Sequence, residues 1–143
     1  MFERVALIGL GLIGSSLAHA VKRQKLADTI SGYDSSETVR HRAAQLELAA
    51  ISSSAADAVK GADLVILCSP VGSYKDIAIA IAPHLKAGAI LSDVGSVKSA
   101  VLKDVSPFVP KGVHFLPAHP IAGTEQSGPD AGFSSLFDHR WCI

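Results

Sequence analysis

Val5-Ala6-Leu7-Ile8-Gly9-Leu10-Gly11-Leu12-Ile13-Gly14 is the stretch that decides how this chain folds. Four apolar residues form a compact strand-like run, and glycines follow at once in the spacing G-x-G-x-x-G. Beyond them Leu12, Ile13, Leu17, Ala20 and Val21 recur close to helical spacing, which predicts a helix over Leu12 to Lys22. Each glycine has a physical task in such a strand–turn–helix. Gly9 permits the tight turn, Gly11 lets backbone N–H groups approach a pyrophosphate, and Gly14 lets helix and strand pack closely. The helix start, at Leu12 and Ile13, adds partial positive charge under the phosphates. A turn that merely needs glycines would explain this stretch alone, but not the acidic residue downstream.

Thr29-Ile30-Ser31-Gly32-Tyr33 reads as a second strand, and Asp34 ends it about twenty residues past Gly14, where a dinucleotide-binding βαβ unit carries its ribose-binding acid. A carboxylate there accepts hydrogen bonds from both ribose hydroxyls and repels a 2′-phosphate. Ser35 and Ser36 come next, with Arg40 and Arg42 inside the following helix, so the expected cofactor is NAD rather than NADP.

The alternation continues. Ser36 is a plausible N-cap for a helix through Leu46, Ala49–Ser52 a brief edge strand, and Ala55–Lys60 a short helix stopped by Gly61. Leu64–Cys68 is a continuous apolar run, as suits a strand buried on both faces. Tyr74–Leu85 is helical with Pro83 near its end, Ala89–Ser92 a strand, Ser96–Val105 a helix and Val113–Pro117 a strand. This order implies a doubly wound, mostly parallel α/β sheet of the Rossmann kind. After Ala118 the pattern dissolves into a loop, His119 to Asp130. Arg140-Trp141-Cys142-Ile143 reads as the opening of another strand, so the expectation is one dinucleotide-binding domain, 1–143, cut at its C-terminal end.

Bulk properties narrow the classes. With 143 residues and a 48% hydrophobic content the chain can bury a real core. Thirteen basic residues balance thirteen acidic ones without clustering, which argues against a nucleic-acid partner. No apolar run approaches the ~20 residues that span a bilayer. Met1-Phe2-Glu3-Arg4 leads directly into a strand, without the layout of a secretory signal, and the expected location is the cytoplasm. Two cysteines make no disulfide framework, and Cys68 within its apolar run reads as a buried thiol.

Ligands of doubly wound sheets sit at the carboxyl ends of the strands. Three further loops leave such ends: Cys68-Ser69-Pro70-Val71, Ser92-Asp93-Val94-Gly95-Ser96-Val97-Lys98, and Ala118-His119-Pro120-Ile121-Ala122-Gly123-Thr124-Glu125. Ser69, Pro70 and Asp93 are therefore expected beside the cofactor, and Ser96 and His119 at the reacting end. Each has a bland alternative. Ser96 is also a helix N-cap candidate, Asp93 an Asx-turn former, Lys98 a solvated first-turn residue, and His119 a structural loop histidine. Imidazole nevertheless suits proton transfer near neutral pH. His114 and His119 lack the i, i+4 spacing of a zinc pair, and no metal is expected.

Gly9–Ala18 (GLGLIGSSLA), Ser92–Lys98 (SDVGSVK) and His119–Gly128 (HPIAGTEQSG) occur in this order. Together they resemble the N-terminal domain of prephenate dehydrogenases, a group that includes arogenate and broad-specificity cyclohexadienyl dehydrogenases. The resemblance covers essentially the whole chain, and its third motif is the most specific. It implies NAD-dependent oxidative decarboxylation of prephenate to 4-hydroxyphenylpyruvate in tyrosine biosynthesis. It implies that His119 hydrogen-bonds the ring hydroxyl of the substrate and draws off its proton, that Ser96 orients that hydroxyl and the histidine, and that Glu125 controls access. Lys98 falls in the second motif with a supporting role. It also implies a homodimer formed through a C-terminal helical domain, which supplies an arginine for the substrate carboxylate and has no counterpart in this sequence. On that reading the isolated chain binds dinucleotide but turns over little substrate. Other reductases of the same fold, and a non-catalytic NAD-sensing module, are the alternatives; the segment His119–Gly128 argues against the first, and Ser96, His119 and Glu125 together against the second.

Overall fold

A computed structural model describes all 143 residues. Six strands, β1 (Phe2–Ile8), β2 (Ala27–Tyr33), β3 (Ala50–Ile51), β4 (Leu64–Leu67), β5 (Ile90–Asp93) and β6 (His114–Leu116), form one sheet in the order β3-β2-β1-β4-β5-β6. Every pairing is parallel. The helices α1 (Leu12–Gln24), α2 (Glu37–Gln45), α3 (Ala55–Val59), α4 (Tyr74–Ile81) and α5 (Lys98–Val105) make the crossovers. Strand order reverses between β1 and β4, the switch point at which such sheets open a crevice.

The centre of β1 shows why the sheet is covered on both sides. Val5, Ala6, Leu7 and Ile8 are all buried, and successive side chains enter opposite layers. Ala6 and Ile8 join Val65, Leu67, Tyr74 and Val101 on one face, whereas Val5 and Leu7 join Leu10, Ala18, Val21 and Ala43 on the other.

Local chemistry sets the boundaries. Ser36 Oγ accepts from Val39 N and caps α2, and Ser54 Oγ does the same for Asp57 N at α3. Gly61, just past α3, takes a left-handed φ of +71°. Two expected helices are shorter than their apolar patterns. α4 ends at Ile81, and Ala82–His84 tightens into a 3-10 turn because Pro83 has no N–H to continue the helix. α5 begins at Lys98 rather than Ser96, and Val97, not Ser96, occupies its N-cap position.

The last segment folds back over the molecule. A 3-10 turn at Pro129–Ala131 leads to Phe133, whose N–H donates to Ser16 Oγ of α1 at 3.1 Å. Arg42 of α2 holds Asp130 through Nε (2.9 Å) and Nη2 (2.7 Å), and Arg23 of α1 holds Asp138 at 3.0 and 2.5 Å. Residues 141–143 do open a strand-like pairing, but it is an antiparallel bridge to 119–121 outside the main sheet. His119 and Ile143 exchange backbone hydrogen bonds of 2.7 and 3.0 Å, and Ile121 N donates to Trp141 O at 2.8 Å.

Candidate functional site

Register brings the predicted loops to one edge. Ile8 pairs with Leu67 and Leu67 with Asp93, so the glycine turn, the Cys68–Pro70 loop and the Asp93–Lys98 loop leave the sheet side by side. Ser92 pairs with Leu116, which puts Ala118 and His119 next in line.

Gly9 and Gly14 take up the tight turn and the close packing read from the sequence. Gly9 has φ +102°, and a Cβ there would lie 2.5 Å from Ser69 N on the neighbouring strand end. At Gly14 a Cβ would lie 2.0 Å from Gly9 O, so this glycine permits helix and turn to touch. Gly11 is different: it is the N-cap residue of α1, makes no side-chain cap, and has no atom within 4 Å of where a Cβ would point. The N–H groups of Leu12, Ile13 and Gly14 in the first turn have no intrahelical partner, and that turn carries no acidic residue of its own. A neutral, uncapped helix start facing open space is suited to an anion.

Beside it lies a cavity of about 660 Å³ whose wall includes Gly9, Gly11, Asp34, Ser69 and Pro70. That is an ordinary size for a small-molecule site. Asp34 Oδ2 accepts from Leu10 N and Oδ1 from Ser36 N, both at 2.9 Å, so the carboxylate braces the glycine turn while it faces the cavity. The far wall, with Ser54, Ala55, Ile77 and Ala80, comes from the start of α3 and from α4 and was not legible in the sequence, which marked these segments only as helical. Arg40 lies inside α2, as read from the sequence, but what it touches was not legible there. Its side chain reaches back from α2, donating from Nη1 to the carbonyl oxygens of Asp34 (2.7 Å) and Ser35 (3.2 Å), with its guanidinium 5.5 Å from the Tyr33 ring centre. Cys68 is half-buried in the same wall, and burial pushes its thiol up, as expected of an unreactive cysteine.

In the second cluster Asp93 is buried, and its carboxylate is committed within the fold. Oδ2 accepts from Gly95 N at 2.8 Å, the Asx-turn geometry, and also from Lys98 Nζ. Oδ1 accepts from Ala118 N at 3.1 Å. Lys98 is therefore not a solvated first-turn residue: it also donates to Ala118 O at 2.6 Å. Ser96 is exposed in the turn between Asp93 and α5, and His119 is half-buried just past β6. Glu125 stands exposed in the loop beyond, with no side-chain bond to Ser96 or His119. A smaller cavity of about 260 Å³ opens between this cluster and the returning C-terminal segment, among Leu17, Ile66, Asp93, Pro120, Phe137 and Trp141.

Sheet order, glycine turn and acidic β2 end define the class: a Rossmann-type nucleotide-binding domain. Within that class the chain belongs to the prephenate dehydrogenase nucleotide-binding domain family, whose model matches residues 17–143. It is similar to a cyclohexadienyl dehydrogenase of Zymomonas mobilis, 49% identical over 141 residues that cover 97% of this chain and 48% of that protein. Among solved structures it resembles the prephenate dehydrogenase of Aquifex aeolicus in complex with hydroxyphenyl propionate and NAD+, with a TM-score of 0.88, 30% identity, and 99% of this chain and 50% of that one covered. It also resembles the Synechocystis arogenate dehydrogenase, with a TM-score of 0.86, 28% identity, and 97% and 48% covered. The chain thus spans about half the length of these relatives.

Proposed function

We propose that this chain is the nucleotide-binding, histidine-bearing half of an NAD-dependent dehydrogenase that converts prephenate to 4-hydroxyphenylpyruvate and CO2. One observation carries the reading: the dinucleotide-type turn with Asp34 and the segment Ala118–His119 leave the same sheet edge, locked in register through Leu67 and Asp93. The residues suit NAD on chemical grounds. Gly11 leaves room at an uncapped helix start, and the Asp34 carboxylate lies in the wall of an adjoining cavity. The A. aeolicus relative was solved with NAD+ and a hydroxyphenyl ligand, which supports both the cofactor and the substrate class.

On this reading residues 1–143 form one dinucleotide-binding domain of a cytoplasmic homodimer, with dimerisation and carboxylate recognition supplied by a helical domain outside this chain. Gly9, Gly11, Leu12, Ile13 and Gly14 hold the pyrophosphate, Asp34 the adenosine ribose, and Ser69 and Pro70 the adjoining wall. When bound, the nicotinamide supplies the hydride acceptor. His119 takes the proton of the substrate's ring hydroxyl, and Ser96 orients that hydroxyl. Loss of the carboxylate as CO2 leaves an aromatic ring, so most of the driving force resides in the substrate and the protein contributes orientation and proximity. Glu125 acts at the entrance. Asp93, with its oxygens engaged by the loop, serves the site by holding its shape rather than by contacting the cofactor through its carboxylate.

His119→Ala in the full-length enzyme is expected to lower turnover by about 10²–10⁴, followed as NADH absorbance with prephenate. Near-normal turnover removes His119 from this role. The name of the Zymomonas relative favours a dual-specificity form of the same reading, and assaying arogenate beside prephenate separates the two.

A further inference from the structure

The geometry points to the Asp93–Lys98 ion pair as a positioning device for His119, an inference that rests on the function proposed above. The pair grips Ala118 from both sides. Asp93 Oδ1 accepts from its N–H at 3.1 Å, and Lys98 Nζ donates to its carbonyl oxygen at 2.6 Å. That carbonyl belongs to the peptide unit whose N–H is His119's own, and His119 N in turn donates to Ile143 O at 2.7 Å. A peptide unit is planar, so holding its oxygen at one end and its N–H at the other sets the plane from which the His119 side chain departs. One step earlier, Ser92 Oγ donates to Leu116 O at 2.7 Å. Asp93 is itself in register with Leu67, and Leu67 with Ile8, the residue before Gly9. A continuous set of bonds therefore runs from the glycine turn to His119.

Energetics favour positioning over mere stabilisation. Asp93 is 1% exposed, and the Lys98 side chain retains 29% of its surface. Taking such a pair out of water costs about as much as its attraction returns, so apolar replacements of similar volume are often neutral or stabilising. What apolar side chains cannot do is bond to a backbone N–H and C=O at one residue. Fixing His119 is worth much more to catalysis than to folding, because a displacement of about 1 Å at a reacting group can cost about 100-fold in rate.

Three variants of the full-length enzyme test this: Lys98→Met, Lys98→Arg, and the double replacement Asp93→Leu/Lys98→Met. Lys98→Met is expected to lower kcat by about 10- to 100-fold, with KM for NAD and prephenate within about twofold. Lys98→Arg, which keeps a charged donor, is expected to recover most of that loss. The double variant is expected to keep its thermal midpoint while kcat stays low, a combination that a stabilising pair would not give. Should it fail to fold, Lys98→Gln replaces it. Deuterium exchange of the peptide spanning residues 116–121 is expected to quicken in each variant except Lys98→Arg, with β1 and β4 unchanged. Unaltered kcat and unaltered exchange in Lys98→Met overturn the proposal, as does a raised KM for prephenate at constant kcat, which would make Lys98 a substrate contact. Retained turnover in His119→Ala instead removes the active-site reading itself, so the two failures are distinct.

Discussion

Leu10 and Asp34 are joined by a hydrogen bond of 2.9 Å from the Leu10 N–H to Asp34 Oδ2, which ties the carboxyl end of β2 to the middle of the glycine turn. The carboxylate proposed to read a ribose thus also shapes the glycine turn proposed to hold the pyrophosphate. Asp34→Ser is expected to weaken NAD binding by about tenfold or more, the scale of a hydrogen bond to a charged group. It should also narrow the gap to NADP, because Arg40 already stands behind the turn on the Asp34 and Ser35 carbonyls. Titration of both dinucleotides checks this, and an unchanged NAD affinity would reject the assignment.

Gly14 and Gly11 are predicted to separate stability from binding. An added methyl at Gly14 collides with Gly9 O at 2.0 Å, backbone against backbone, so Gly14→Ala should destabilise the fold by about 1–3 kcal/mol in urea titrations. Gly11→Ala meets no atom and adopts an ordinary negative φ of −76°, so stability should change by no more than about 0.5 kcal/mol. Its dinucleotide affinity should nevertheless drop, since the methyl occupies the space a pyrophosphate would need. Equal behaviour of the two variants in both measurements would contradict this division.

Tyr74 is expected to set an alkaline limit on the fold. The side chain is fully buried and its hydroxyl donates to Leu67 O at 2.9 Å. Burial, then the nearby Asp93 charge, pushes its phenol up. A raised folded value means that the stabilisation is complete below the unfolded value of about 10 and is lost as pH climbs beyond it. The Cys68 thiol, raised by the same causes, adds a loss of the same sign from about pH 8.5. Tyr74→Phe should cost about 0.5–1.5 kcal/mol at neutral pH and flatten the alkaline decline. Urea midpoints at about pH 7 and about pH 11 test it; parallel declines in the two proteins would refute it.

Two ion pairs help to hold the C-terminal segment and should let go of it in acid. Hydrogen bonds from Arg42 and Arg23 hold the Asp130 and Asp138 carboxyls below the usual range. Depressed folded values place this contribution above the unfolded value of about 3.9, and it fades as pH falls through the lower folded values. Both pairs are exposed, so salt weakens them too. Asp130→Asn/Asp138→Asn should mimic acid at neutral pH, with cleavage within residues 129–143 about two- to fivefold faster in limited proteolysis. Cleavage at an unchanged rate would show that Leu136, the Phe133–Ser16 bond and the backbone pairing with residues 119–121 suffice to hold the segment.

Local chemistry made much of this protein readable in one dimension. Glycine spacing, the Asp34 position, the Ser36 cap and the apolar run Leu64–Leu67 depend on neighbours a few residues apart, and their alternation pointed to a mostly parallel, doubly wound sheet. The same kind of evidence overstated α5, because Ser96 is a good capping residue in isolation while Asp93 draws Gly95 into an Asx-turn that delays the helix to Lys98. It also gave no sign that Arg40 reaches back to the Asp34 and Ser35 carbonyls, and left Lys98 open between a supporting role and a solvated one.

By itself the sequence determined the doubly wound fold, the nucleotide-type turn and the set of residues from which a site is built, because periodicity, backbone freedom and capping are short-range properties. Only the tertiary structure decided how those residues act on one another. Asp93, Lys98 and Ala118 are separated by up to 25 positions yet share one set of hydrogen bonds. Asp130 and Asp138 find Arg42 and Arg23 across 88 and 115. At buried Asp93 the packing of the sheet removes the alternatives that water offers a carboxylate, whereas the exposed arginine pairs depend on the returning segment being brought beside α1 and α2; no local pattern encodes either outcome.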